Sequence, residues 1–160
     1  MPEDVGRIDA RLAELGLVLP DVVPPQASYV PAVLSGGLVW TAGQLPMVDG
    51  TLPATGKVGV GEGLVDPGTA NELARICALN ALAAVRGVLG SLDRVERVVK
   101  VVGFVASDPS FSGQPTVVNG ASELLAAVFG PDGQHARSAV GVAVLPLNAP
   151  VEVELVVAVR

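Results

Sequence analysis

The segment VEVELVVAV at residues 151–159 constrains this chain more than any other. Side chains of a strand alternate between its two faces. Val151, Val153, Leu155, Val157 and Val159 therefore share one face, and Glu152, Glu154, Val156 and Ala158 share the other. A strand that is wholly aliphatic on one side must be covered by a layer of helices. Two helices are legible upstream. Asp66-Pro67 places an N-cap acid before a first-turn proline, so a helix is predicted over residues 66–90 with Leu73, Cys77, Leu82, Val85 and Leu89 as its buried stripe. A second is predicted over residues 116–129, ended by Gly130-Pro131.

The remaining elements follow from turn chemistry. Strands are predicted at residues 27–34 and 38–42 around a Gly36-Gly37 hairpin turn, at 94–106 and at 134–144. Residues 3–15 form an amphipathic helix presenting Val5, Ile8, Leu12 and Leu15, and Pro20, Pro24 and Pro25 mark an extended connector after it. The order strand hairpin, helix, strand, helix, strand pair implies an α+β domain: a mixed sheet with two helices packed on one face, plus the short N-terminal helix. The division is residues 1–25, helix and connector, and residues 26–160, the domain proper.

Composition narrows the function. Of 160 residues 50% are hydrophobic, only 3% aromatic and 16% charged. The core must be built of Val, Leu and Ala, and little charge is left to cover a monomer, which points to self-association. The net charge of -6 and the ten scattered cations give no footing for a phosphate backbone. The single cysteine, Cys77, lies in a helical apolar pattern and is read as a small buried hydrophobe. One His and one Cys make a dedicated zinc site improbable. The charged N-terminus lacks the apolar core of a signal peptide and no stretch suits a membrane span, so the expected location is the cytoplasm.

In a simple hairpin of the last two strands Val144 faces Val151. That register puts Ser138, Val140, Val142 and Val144 on the helix-facing side, and Arg137, Ala139, Gly141 and Ala143 with the glutamates. Arg137 and Glu152 would then stand roughly 20 Å apart. They could act on one small molecule only if a second subunit packed on this face.

The run HARSAVGVAVLPLNAPVEVE, with residues 137–152 at its heart, resembles the signature of the reactive-intermediate deaminase family, also called YjgF, Rid or L-PSP. Arg137-Ser138, a strand, Leu145-Pro146 and Val151-Glu152 fall in the family's order. Ser28-Tyr29 and LVWTAGQLP at residues 38–46 resemble its early hairpin, and Phe104 with Val118-Asn119 its middle. The helix and connector up to Pro25 lie outside, so the resemblance is to a branch with an extra N-terminal helix.

The resemblance implies a chorismate-mutase-like fold and a homotrimer with clefts between subunits. It implies hydrolysis of 2-imino acids to 2-oxo acids and ammonia, with no metal or organic cofactor; the charge balance and apolar pattern lead to the expectation of no nucleic-acid or membrane partner. Carried over residue by residue, Arg137 grips the substrate carboxylate, Glu152 positions or activates water, Tyr29 and Asn119 line the cleft, and the Gly43 N–H donates to the carboxylate. Ala42 stands where Ser is common, Ala139 where Cys is, and His135 where Pro or Ala is, so the pocket is less polar than usual. On the residues alone, Tyr29 fits packing as well as ligand contact, and Asn119 fits a helix cap as well as a ligand. Glu154 is read as structural or solvent-facing, and His135 as a strand-entry residue. The competing reading is a trimer that binds a small carboxylate through Arg137 without turning it over. A third, a ribonuclease or translation inhibitor, meets the acidic balance and the absence of a His pair.

Overall fold

The computed structural model describes residues 5–25 and 27–160. In chain order these form α1 (Arg7–Glu14), β1 (Ala32–Ser35), β2 (Leu38–Thr41), α2 (Pro67–Leu89), β3 (Val95–Ala106), α3 (Gln114–Phe129), β4 (Ala136–Val142) and β5 (Val151–Val159). The strands make one mixed sheet in the order β1-β2-β5-β3-β4, and α2 and α3 cover one face of it. The predicted α+β fold and its short N-terminal helix are therefore found.

Local signals act where they stand in the chain. Gly36 and Gly37 adopt φ of 59° and 76°, the left-handed pair that a two-residue turn requires. Asp66 Oδ2 accepts from the Gly68 N–H at 2.9 Å, capping α2. All five residues expected in its stripe are buried. The predicted strand at residues 27–34 is shorter than expected, because only Ala32–Ser35 pairs. The stretch before it is loop.

The expected hairpin of the last two strands does not form. β4 pairs with β3 in parallel, with Val101 opposite Arg137 and Phe104 opposite Val140. β5 instead lies between β2 and β3, antiparallel to both. The physical reason is the crossover: α3 returns the chain over the sheet, so β4 enters running the same way as β3. The face assignment of β4 inverts with it. Arg137, Ala139 and Gly141 point toward the helices, whereas Ser138, Val140 and Val142 share the open face with Glu152 and Glu154.

Small residues let α3 approach closely. A Cβ on Gly103 of β3 would come within 2.6 Å of Val118 Cγ1. A Cβ on Gly120 would run into the backbone carbonyl of Asn71 on α2, 2.9 Å from its carbon. Asn71 Nδ2 meanwhile donates to Thr116 O at 2.8 Å, tying the two helices. The core beneath is aliphatic, with Leu82, Leu124, Leu125 and Leu155 at most 1% exposed. Each such side chain contributes about 1.5–3 kcal/mol by leaving water.

The N-terminal helix belongs to this core. Ile8 and Leu12 are buried in it, while Val5 is 67% exposed. The predicted start at Glu3 lies outside the described residues. The first amides of α1 find their partner far along the chain: Asp93 accepts from the N–H groups of Arg7 and Ile8, both at 2.8 Å. Among the described residues, the opposite face of the sheet carries no helix. There Trp40 is 51% and Val140 43% exposed, beside Val33, Val102 and Phe104.

Candidate functional site

A cavity of about 440 Å³ opens where the loop after β2 meets the start of β5. Tyr29, Gly43 and Glu152 line it, together with Pro146. Glu152 is positioned by its strand, opposite Phe104 on the open side of the sheet. Gly43 is positioned by an isolated pairing in which Gln44 and Val153 exchange backbone bonds of 2.8 and 3.1 Å. Ala42 N donates to Pro31 O at 2.8 Å. Among the described residues the Gly43 N–H, between these two, meets no acceptor.

Gly43 and Glu152 are in intimate contact. A Cβ on Gly43 would lie 2.7 Å from the Glu152 carboxyl carbon. Only glycine leaves the carboxylate this position. Burial raises the Glu152 pKa above the ordinary glutamate value, and the neighbouring Glu154 charge adds to the effect. Burial raises Glu154 likewise. A carboxylate poised this way suits proton exchange with water.

The loop that walls the cavity is pinned from beneath. Asn80 of α2 is 1% exposed, and its Nδ2 donates to the carbonyls of Leu45 at 3.0 Å and Met47 at 3.1 Å. Cys77, one turn before it, is fully buried with Sγ 3.8 Å from Val151 O. Burial first, then the Glu152 charge, pushes its thiol pKa well up, so it stays an inert hydrophobe.

Arg137 and Asn119 are not in this cavity. Arg137 lies on the helix-facing side, where Nη1 donates to Asn119 Oδ1 at 2.8 Å and Ser122 Oγ at 3.1 Å, and Nη2 to Pro115 O at 3.2 Å. Among the described residues its Nε–H and one Nη2–H have no acceptor. Such a pair can grip a carboxylate through two parallel bonds. Ser122 Oγ is also 2.8 Å from His135 Nε2, and His135 Nδ1 is 2.6 Å from Gly133 O. A carbonyl only accepts, so Nδ1 carries the proton and Ser122 donates to Nε2. One chain of bonds then runs from Arg137 through Ser122 to His135.

Arg137 and Glu152 are thus separated for a reason other than the hairpin first expected. They point to opposite faces of the sheet, two strands apart and three residues along β3. Ser122 was missed in the sequence, although its place three residues after Asn119 sets both on one helix face. The lining contributed by the N-terminal connector, Val23, Pro24 and Pro25, was missed too. Among the described residues no group of three or more His, Cys, Asp or Glu side chains could hold a metal ion. None of their helices is long and apolar enough to cross a membrane.

A mixed sheet with two helices on one face, the other face bare, and a Gly–Glu contact beside a cavity define a chorismate-mutase-like protein of the YjgF type. The chain belongs to that family: residues 9–159 match the family model described as "YjgF/chorismate mutase-like, putative endoribonuclease". It represents a branch with an extra N-terminal helix. It is 46% identical over 153 residues to Protein TCP17 of Trypanosoma cruzi, covering 95% of this chain and 94% of that one. Atu1372 of Agrobacterium tumefaciens, a solved structure of unknown function, is 47% identical with a TM-score of 0.87, covering 96% of this chain and 92% of its own. TdcF of E. coli, solved with bound serine, is 26% identical with a TM-score of 0.60, covering 88% and 92%.

Proposed function

We propose that this protein is a cytoplasmic homotrimer that hydrolyses reactive 2-imino acids to 2-oxo acids and ammonia in a cleft between subunits, without a cofactor. The observation that carries the reading is the Glu152 carboxylate, half-buried and pressed against Gly43 in a 440 Å³ cavity. Each protomer then holds two half-sites, one of Glu152, Gly43 and Tyr29, the other of Arg137 and Asn119. β4 is an edge strand, so Arg137 lies at the sheet rim, within reach of a subunit packed on the uncovered apolar face. TdcF supports the ligand class, since serine carries the carboxylate and α-nitrogen of the proposed substrate.

The chemistry is simple. The partner subunit's Arg137 and the Gly43 N–H hold the carboxylate. The protonated imine carbon is electrophilic, and Glu152 takes a proton from water as its oxygen attacks. A carbon–oxygen bond forms, giving a carbinolamine. Its nitrogen takes that proton back from Glu152, the carbon–nitrogen bond breaks as the carbonyl forms, the hydroxyl proton passes to Glu152, and ammonia leaves.

The test generates 2-iminopropionate in situ with an amino-acid oxidase and follows its loss. Wild type should accelerate hydrolysis, Arg137→Ala should do so far less at substrate concentrations that suffice for wild type, and Glu152→Gln should not. If wild type is inert on several imino acids, the catalytic reading falls. The competing reading, carboxylate binding without turnover, is the one supported if 2-oxo acids still bind and Arg137→Ala abolishes that binding.

A further inference from the structure

The same cavity carries a statement about which imino acid it takes, and this rests on the reading above. Glu152 and Gly43 meet in its wall. Tyr29 and Gln44 also line it, and most of the remaining described lining is hydrocarbon, with Val23, Pro24 and Pro25 of the connector alongside Leu45, Met47 and Pro146. We propose that the N-terminal connector is a specificity wall, and that the enzyme's preferred substrates are 2-imino acids with sizeable aliphatic side chains, the class to which the imine of leucine belongs.

Three features support this. The first is room: a three-carbon imino acid would leave most of 440 Å³ unfilled. The second is chemistry. A charge on the substrate side chain would be buried largely against proline and aliphatic carbon, which is costly, whereas added methylenes are favoured. The third is that the wall is tethered at both sides. Buried Ile8 and Leu12, with Asp93 on the first amides of α1, anchor the chain before the connector. The buried Asn80 amide fixes the carbonyls of Leu45 and Met47 opposite it. A pre-formed apolar wall discriminates because no ordering has to accompany binding.

The experiment compares imines generated from alanine, leucine and glutamate by amino-acid oxidases, for full-length wild type and Val23→Asp. A parallel calorimetric titration uses pyruvate and 4-methyl-2-oxopentanoate. The expected wild-type order is leucine imine over alanine imine by at least about tenfold in kcat/KM, with glutamate imine poorest. Val23→Asp should cut the leucine-to-alanine ratio at least about fivefold, mainly through KM. If wild type turns over alanine imine as well as leucine imine, the specificity wall is refuted while the deaminase reading stands. If no imine is turned over, the deaminase reading fails and the titration decides: tighter binding of 4-methyl-2-oxopentanoate, lost in Val23→Asp, upholds the wall, and equal or absent binding overturns it. Should Val23→Asp fold poorly by circular dichroism, Val23→Ser takes its place with the same ratio as readout.

Discussion

The Glu152 carboxylate occupies the space that a side chain on Gly43 would need. A Cβ there would lie 3.1 Å from Glu152 Cγ, 2.7 Å from Cδ, and closer still to Oε1. Glu152 ends in a flexible carboxylate, so Gly43→Ala is expected to push that group aside rather than unfold the chain. Displacement of about 1 Å can cost about 100-fold in rate. Gly43→Ala should therefore lose imine hydrolysis on that scale with Tm close to wild type. A variant that keeps full activity would show that the contact has no part in turnover.

Glu152 also links folding to pH. Its pKa is raised above the ordinary value of 4.5 by burial, and secondarily by Glu154. A carboxyl raised in the folded state binds more protons folded than unfolded, so stability falls as pH rises from 4.5 through the raised value. Glu152→Gln removes this contribution. Thermal unfolding should show the variant gaining on wild type between pH 4 and pH 7. A constant difference across that range would contradict the shift.

Arg137 and Ser122 should be separable by kinetics. Arg137→Ala removes the charge and is expected to raise KM roughly 10- to 100-fold. Ser122→Ala leaves the guanidinium but removes one of its three acceptors and the link to His135, for a loss of about 2- to 10-fold. Arg137→Lys should not rescue, because an ammonium cannot reproduce two parallel bonds while holding Asn119 and Pro115. Equal losses in Ser122→Ala and Arg137→Ala would mean that Ser122 is more than a positioning residue.

Gly120 tests how closely α2 and α3 pack. Alanine gains about 1 kcal/mol in a helix interior. Here its Cβ would meet the Asn71 carbonyl, backbone that cannot step aside. Overpacking of this kind costs about 1–3 kcal/mol. Gly120→Ala should lower Tm by a few degrees in a scanning experiment, and a stabilised variant would show that α2 and α3 are not in such close contact.

The family description includes an endoribonuclease. The net charge of -6 argues against a phosphate backbone as ligand. Wild type is expected neither to retain nor to cleave single-stranded RNA at low salt. Salt-sensitive retention would reverse that reading.

Local chemistry by itself determined much of this protein. The Gly36-Gly37 turn, the Asp66 cap with Pro67, the stripe of α2 and the alternation of β5 each rest on neighbours a few residues apart, so they are readable without the fold. The order of elements named the architecture, and the spacing of Arg137, Leu145-Pro146 and Glu152 named the family. What the tertiary structure alone decided concerns β4 and the connector. The alternation in ARSAVGV has valines on one face and small residues on the other, and hydrophobicity places the valines inward. The close approach of α3 puts Ala139 and Gly141 there instead, because a helix seated on Gly103 leaves no room for larger side chains beneath it, while Arg137 near the start of the strand reaches Asn119 and Ser122 on α3 and Val140 is left on the bare face. The partner of β4 was equally hidden, since whether a strand turns back on its neighbour or follows a crossover depends on where the intervening helix packs. The cavity wall of Val23, Pro24 and Pro25 reads in sequence only as extended chain. Its place beside Glu152 comes from Asp93, some 70 residues further on, holding the helix that precedes it.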